Sequence, residues 1–441
     1  MAARLPDPAS RFPLAARALR TPLAAPPAAV VARAQAPTRH APDNWPLYLF
    51  LFLLPLQNIQ TGYLPRLGNG INFLNVMFAL SLAGALACGG RLARAEPINR
   101  WILLYAAYNA ISVVVGHFFV GDPGEHWVAY KDQMIPLFLA FLVQMSVNDW
   151  RGVRRVVLVT LLPLPYIAKV VWVQHASVAS WHYSDDLRIK GTFSLLGANE
   201  FSSFCVTVAL VLTAVFFAAR ASRAWRLALA GGIAAMLVGV VWGYSRTAYV
   251  ALMLGVVTML LLWRGRWKVL VPLLLAVALV PRFLPVSVVE RFDSTTLEEK
   301  QRDESTELRF KYWQTAWKTF LDHPVTGTGF HTFHHREINP NQHDTHNLYM
   351  RTLSEGGVLG ILVLAGLLLA VFRTAWRNLR AAPHHTWHYA LALGLLGAWV
   401  ALVCGNLFGD RFTYYPMIAY FWTYAALVAK ARQLPADRGP G

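Results

Sequence analysis

Residues 199–219 read NEFSSFCVTVALVLTAVFFAA, residues 220–225 read RASRAW, and residues 226–247 read RLALAGGIAAMLVGVVWGYSRT. Two apolar runs of about twenty residues, each long enough to cross the hydrocarbon core of a bilayer as a helix, are separated by Arg220, Arg223 and Arg226. The second ends in a hairpin, Gly243-Tyr244-Ser245-Arg246-Thr247, that turns at once into a third run. The runs are continuously apolar, whereas strands of a membrane barrel alternate apolar and polar residues over about ten positions. The fold class is therefore an all-α integral membrane protein.

Working outward from this stretch, the pattern gives twelve candidate spans: 46–62, 71–89, 99–119, 133–147, 154–175, 199–219, 226–244, 247–263, 268–285, 352–372, 387–408 and 412–430. Composition agrees: 56% of the 441 residues are apolar and 14% charged, against about 25% charged in a soluble domain. So apolar a chain is not intrinsically disordered, and three cysteines in this length are no disulfide scaffold.

The formal charge of +17 suggests a nucleic-acid binder until the charges are placed on the chain. Alternate connections and the two tails carry 24 basic and five acidic residues; the opposite side carries 15 basic and 18 acidic, and Lys169 lies within a span. Excess Lys and Arg mark cytoplasmic loops. This distribution therefore puts both termini in the cytoplasm, and the basicity reports topology rather than nucleic acid. The organisation expected is a disordered cytoplasmic tail at 1–44, a polytopic membrane domain at 45–430 and a cytoplasmic tail at 431–441. Residues 1–44 are rich in Arg, Ala and Pro and lack the apolar core of a secretory signal; an organellar transit peptide is the alternative.

One outer connection, 286–351, is a large loop on the non-cytoplasmic side. Within it Phe310, Trp313, Trp317 and Phe320 recur at helical spacing, which predicts an amphipathic helix over Leu308–Asp322. Its aromatics lie either in the headgroup layer or against the outer ends of other spans. A turn follows at Pro324, Gly327 and Gly329, then five histidines: His331, His334, His335, His343 and His346.

Arginines at the lip of apolar helices must pair or face a polar cavity. Arg188, in Asp185-Asp186-Leu187-Arg188-Ile189-Lys190-Gly191-Thr192-Phe193, Arg246 in its hairpin and Arg411 in Gly409-Asp410-Arg411-Phe412 all stand on the outer side. Guanidinium groups hold phosphate oxygens through paired donors and keep their charge when desolvated, so these positions suit a diphosphate. Arg411, next to Asp410, has the strongest structural alternative. Asn199 begins the sixth span at the same level. His331-x2-His334 with His343-x2-His346 could assemble a metal site; no cysteine accompanies it and Asp344 is the carboxylate at hand.

These residues bear a resemblance. His346-Asn347, nine residues, then Gly357-Val358-Leu359-Gly360 resembles the His-Asn-x9-Gly-x-x-Gly pattern of the O-antigen ligases. Arg309-x3-Trp313 with His323-Pro324-Val325-Thr326-Gly327-Thr328-Gly329 is similar to the outer-loop signature of that superfamily. Arg188–Phe193 followed by Asn199 resembles its first arginine motif, and Ser245-Arg246-Thr247 its second. The sequence departs from many relatives at Leu196-Gly197-Ala198-Asn199, where they carry a proline before the asparagine.

The resemblance implies a periplasmic-facing glycosyltransferase of the bacterial inner membrane. Such an enzyme moves a glycan from undecaprenyl diphosphate to a sugar hydroxyl of lipid A–core, in lipopolysaccharide biosynthesis. His346 is then the general base, and Arg188 and Arg246 bind the diphosphate. Lys190, Asn199, Arg309, His343, Asp410 and Arg411 are supporting candidates, with inversion at the anomeric carbon and no cofactor or metal. Relatives include O-antigen polymerases and protein O-oligosaccharyltransferases. A transporter of lipid-linked glycan is the non-enzyme alternative.

Overall fold

The computed structural model describes residues 43–63, 72–94, 96–121, 123–178, 184–263, 304–340 and 342–435. Every regular element among them is helical. In chain order these are α1 (Trp45–Leu53), α2 (Gln57–Tyr63), α3 (Phe73–Ala87), α4 (Pro97–Gly116), α5 (Pro123–Ser146), α6 (Trp150–Leu161), α7 (Leu164–Val178), α8 (Ala198–Ala218), α9 (Arg223–Trp242), α10 (Arg246–Leu262), α11 (Glu304–Asp322), α12 (Leu348–Ala381), α13 (Trp387–Gly405) and α14 (Tyr415–Ala431). Among the described residues, six stretches are long and apolar enough to cross a membrane: Pro97–Gly116, Trp150–Val178, Ala198–Ala218, Arg223–Trp242, Leu348–Ala381 and Trp387–Gly405. The span expected at 268–285 and the loop segment from Glu290 to residue 303 lie outside the described residues, as do the tails at 1–42 and 436–441.

Side-chain caps start the helices where the sequence supplies them. Asn44, Asn72, Asp149, Ser222, Asn347 and Thr386 each accept a backbone N–H from the first turn, satisfying donors that would otherwise be orphaned. Two helices form the centre: α13 packs on α8 and α10, and α14 on α5 and α8. Nearly every residue of α14 from Pro416 to Ala431 is buried. Outer helices instead show apolar side chains outward, such as Leu227 on α9 and Leu261 on α10, as expected where the surrounding solvent is lipid.

Three expected spans depart from the reading of the apolar runs, two broken and one extended, each for a local reason. The span at 46–62 is α1 and α2 separated at Leu54–Leu56, where Pro55 accepts a hydrogen bond from Thr192 Oγ1 at 2.6 Å and Asn58 donates to the Thr192 carbonyl at 3.0 Å. Proline cannot donate, and the loop carrying Arg188 fills the gap. The span at 154–175 is divided at Leu162-Pro163. The short run at 133–147 proves to be the second half of α5, a 24-residue helix whose first half carries the Lys131–Asp132 ion pair, 3.3 Å apart. That charge pair is what ended the apolar run in the sequence.

The break in α12 sits in the glycine motif. Gly357 has φ +59° and ψ −158°, a conformation that side chains disfavour. Into this break the turn 324–329 inserts its backbone. Pro324 and Val325 carbonyls accept from Val358 and Leu359 (2.8 and 3.2 Å), while Thr328 and Gly329 donate to Ser354 and Glu355 carbonyls (3.0 and 2.8 Å). A Cβ at Gly357 would stand 2.5 Å from Val325 backbone, and one at Gly327 2.3 Å from Glu355. The outer loop is thereby stitched to α12 chiefly through main chain.

The helix α11 begins four residues before the expected start, and its aromatic face divides. Tyr312 and Ala316 are buried, and Trp313 donates to the Thr345 carbonyl at 2.9 Å. Phe310, Trp317 and Leu321 point outward. Thus one edge packs on the protein and the other is exposed.

Gly357→Ala adds a Cβ both where this positive-φ, extended-ψ backbone costs a side chain about 1–3 kcal/mol and where the turn 324–329 already sits. The thermal midpoint of the purified protein in detergent should fall clearly, whereas Gly231→Ala, where a Cβ meets nothing within 4 Å, should keep or raise it.

Candidate functional site

Four segments meet at one end of the bundle: the loop 184–197, the α9–α10 hairpin, the start of α12 with residues 342–347 before it, and the α13–α14 connection 406–414. Their backbones are tied together. Ile189 donates to the Trp242 carbonyl (3.1 Å), and Leu348 to the carbonyls of Asn406 and Gly409 (3.0 and 3.3 Å). Gln174 grips Gly191 through both its N–H and its carbonyl (2.9 and 2.8 Å). Leu187 and Tyr244 form a small buried apolar contact, with Val241 and Tyr249 against it. This contact docks the Arg246 hairpin on the Arg188 loop.

Within this frame Arg188 is half-buried, and its Nη2 donates to Asn199 Oδ1 at 2.7 Å. Its buried Nε has no hydrogen-bond partner. The two polar members of the first arginine motif are thus in direct contact, across the turn Leu196–Asn199. Arg246 is the first residue of α10 and is half-buried; Tyr244, two residues earlier, takes φ +46°. Lys190 is exposed.

Arg411 and Asp410 are not each other's partners. Arg411, only 1% exposed, donates Nη1 to Glu200 Oε1 at 2.6 Å, and its backbone N–H goes to Asn406 Oδ1 at 2.8 Å. Asp410 faces the other way. One of its oxygens caps Phe412 and Thr413 N–H (2.9 and 3.2 Å), and the other is bound by Arg351 and the Thr413 hydroxyl. The positions adopted by these two neighbours follow from the tight turn at Gly409, where a Cβ would lie 2.6 Å from the Arg411 guanidinium carbon.

Arg351 and Glu355 are site residues that the sequence reading missed. Arg351 is 8% exposed. Its Nε meets Glu355 at 3.2 Å, Nη1 binds Asp410 and donates to Thr413 Oγ1 at 2.8 Å, and Nη2 donates to Gln133 Oε1 at 3.3 Å. Gln133 in turn donates to Tyr105 at 2.8 Å, and Glu355 accepts from Phe333 N–H at 3.2 Å. A cavity of about 20 Å³ beside them is lined by Tyr105, Gln133, Arg351, Glu355 and Gly360, among others. The available signal was an acid one turn into an apolar run with a base four residues before it.

His346 stands above this network with a left-handed φ of +49°. Solvent reaches it, yet the protein around the ring, with the guanidinium charges of Arg309 and Arg411 nearby, lowers its pKa from the ordinary imidazole value; the carboxylates of Asp344 and Glu200 work against that shift. Burial raises the Asp344 carboxyl. Asn347 holds the turn by accepting from Tyr349 and Met350 N–H (2.9 and 3.1 Å). Arg309, on α11, belongs to the same electrostatic surroundings. His343 is exposed and packs its ring on Tyr312, centroids 5.7 Å apart.

The remaining loop histidines gather elsewhere. Among the described residues, Glu125, His331 and His334 are the group close enough to share a metal, and neither His343 nor His346 is in it. The four-histidine arrangement weighed from the sequence is therefore not formed. Burial and neighbouring imidazoles push His331 down to about 2 and His334 to about 4, so both rings are neutral near pH 7.

Removing one member of a buried ion pair costs about 3–5 kcal/mol. Arg411→Ala should therefore lower the thermal midpoint strongly in detergent, and Glu200→Gln added to it should recover part of the loss. Lys190→Ala, at an exposed side chain, should leave the midpoint near that of the parent.

Comparison with known proteins adds to this geometry. No curated protein matches the chain. Residues 231–365, from within α9 to the kinked first half of α12, match the family described as O-antigen ligase. That stretch contains Arg246, Arg309, the turn 323–329, His346 and the glycines of the α12 break, while Arg188 and Asn199 lie before it. Over this segment, about a third of its length, the chain is similar to the O-antigen ligase family.

Proposed function

We propose that this protein is an O-antigen ligase. It transfers a glycan from undecaprenyl diphosphate to a sugar hydroxyl of lipid A–core in lipopolysaccharide biosynthesis. The observation that carries this reading is the meeting of His346 with Arg309, Arg411 and Glu200 at the end of the bundle where the Arg188–Asn199 contact and the Arg246 hairpin also lie. That end faces the periplasm in the proposed topology. Twelve spans cross the bacterial inner membrane, both termini are cytoplasmic, and the loop 286–351 is periplasmic, as the distribution of Lys and Arg requires.

In the transfer, the acceptor hydroxyl gives its proton to His346 as its oxygen attacks the anomeric carbon. The bond from that carbon to the diphosphate oxygen breaks, and the electron pair leaves with the lipid diphosphate. Arg188 and Arg246 stabilise the charge that accumulates there, in a site where water is partly excluded. Attack from the face opposite the leaving group inverts the anomeric centre, without a covalent intermediate. Arg411, neutralised by Glu200, acts by position: it fixes the α13–α14 turn and sets the field at His346. Asn199 orients Arg188. The Asp410 carboxylate, occupied by Arg351, supports the α12 start rather than the substrate. Lys190 and His343 stand at the exposed margin, where they meet headgroup or glycan.

Neutral imidazole is the active form of a general base. A pKa lowered from 6.5 keeps His346 neutral as the medium is acidified. The acid limb of kcat/KM for transfer should therefore lie below pH 6.5.

Arg188→Ala and Arg246→Ala should each cut transfer more than tenfold while the protein still inserts. His346→Ala should stop transfer but retain donor binding, measured with lipid-linked glycan on the purified protein. A deletion strain tests the acceptor. Loss of the whole surface ladder, with core retained and lipid-linked glycan accumulating, marks a ligase. A band of one repeat on the core marks a polymerase, and an unchanged ladder with loss of glycosylated protein marks a protein O-oligosaccharyltransferase. Flux of lipid-linked glycan in vesicles that survives His346→Ala would mark a transporter.

A further inference from the structure

The loop histidines outside the His346 site converge on the start of α5. His331 and His334 stack with ring centroids 4.0 Å apart, and His334 lies 4.3 Å from His335. His126, fully buried on α5, meets His335 with Nε2 atoms 3.1 Å apart, and its ring lies 6.2 Å from that of His331. One donor atom each from Glu125, His331 and His334 falls within 4.8 Å of the others. His334 Nε2 is buried without a hydrogen-bond partner and stands 3.7 Å from Glu125 Oε1. That separation is too long for a hydrogen bond. It is close to the edge of a tetrahedron about zinc, roughly 3.3 Å for ligand bonds near 2.0–2.1 Å. His331 also takes φ +64°, a conformation uncommon for side-chain-bearing residues that turns from incidental to purposeful where it aims a ligand.

We infer that Glu125, His331 and His334 form a binding site for a divalent transition metal of the zinc class. A water or the His335 imidazole completes the tetrahedron, and His126 orients His335 through its ring nitrogen as outer partners of metal-bound histidines do. The ligand set is imidazole with one carboxylate, which suits zinc and excludes a preference for calcium or magnesium. The ion acts as a clasp. It joins the loop between α11 and α12 to the first turn of α5, beside Phe333, whose N–H holds Glu355 of the buried Arg351 network. It takes no part in the transfer proposed above, and its test does not depend on that reading.

The experiment is cobalt and zinc titration of the full-length protein in detergent, purified through a tag without histidine and stripped with chelator. Cobalt should bind at one equivalent and give the intense visible absorption of a tetrahedral site, zinc should displace it, and zinc should raise the thermal midpoint. His331→Ala with His334→Ala should abolish both effects. Glu125→Gln, a change at an exposed side chain that keeps the fold, should weaken binding at least tenfold, whereas His384→Gln should bind as the parent does. Absence of a stoichiometric cobalt spectrum in the parent, or equal binding by parent and Glu125→Gln, would overturn the inference.

Discussion

A guanidinium sealed among helix ends has to be paired, because a buried unpaired charge costs several kcal/mol. Arg351 meets that requirement with groups from three separate regions: Glu355 on its own helix, Asp410 and Thr413 from the α13–α14 turn, and Gln133 from α5. The position of α12 relative to α5 and the turn is therefore fixed by charge as much as by apolar packing. The glycine break directly after Glu355 then lets the outer loop dock on the helix through main-chain hydrogen bonds. His346, five residues before Arg351, inherits its place from this anchor.

A second pair does similar work one layer away. Glu200 begins α8 and Arg411 begins the approach to α14, and their contact ties the start of α8 to the α13–α14 turn. The division is chemically useful. Two guanidinium groups, those of Arg351 and Arg411, hold the bundle together, and in the proposed function the other two, those of Arg188 and Arg246, meet the diphosphate. Burial and the cations of Arg309 and Arg411 lower the His346 pKa, and the carboxylates of Asp344 and Glu200 limit that shift.

Much of this was legible before any coordinates. Most continuous apolar runs among the described residues are helices near their expected places, with those at 46–62 and 154–175 broken, and Arg188 and Asn199, two candidates eleven residues apart, are in contact. What escaped was long-range pairing. Arg411 and Glu200 are 211 residues apart, and His126 and His335 are 209 apart; no local pattern couples them. Proximity in sequence misdirected the pairing of Asp410, which binds Arg351 rather than its neighbour. Arg351 and Glu355 were hidden because charged residues at the margin of an apolar run read as ordinary helix ends. The start of α5 was hidden for the converse reason, since a polar first half broke the run.

The central claim is that the end of the bundle bearing Arg188, Arg246 and His346 receives a lipid diphosphate. Photo-crosslinking addresses it most directly, with a polyprenyl diphosphate analogue carrying the reactive group next to the phosphates, incubated with the protein in bilayers and mapped by peptide mass. Adducts confined to peptides 184–200 and 243–250, and competed by unlabelled diphosphate lipid, are the result this account requires. Adducts concentrated on peptides around Arg220–Arg226 or Arg373–Arg380, at the opposite ends of the same helices, would contradict it.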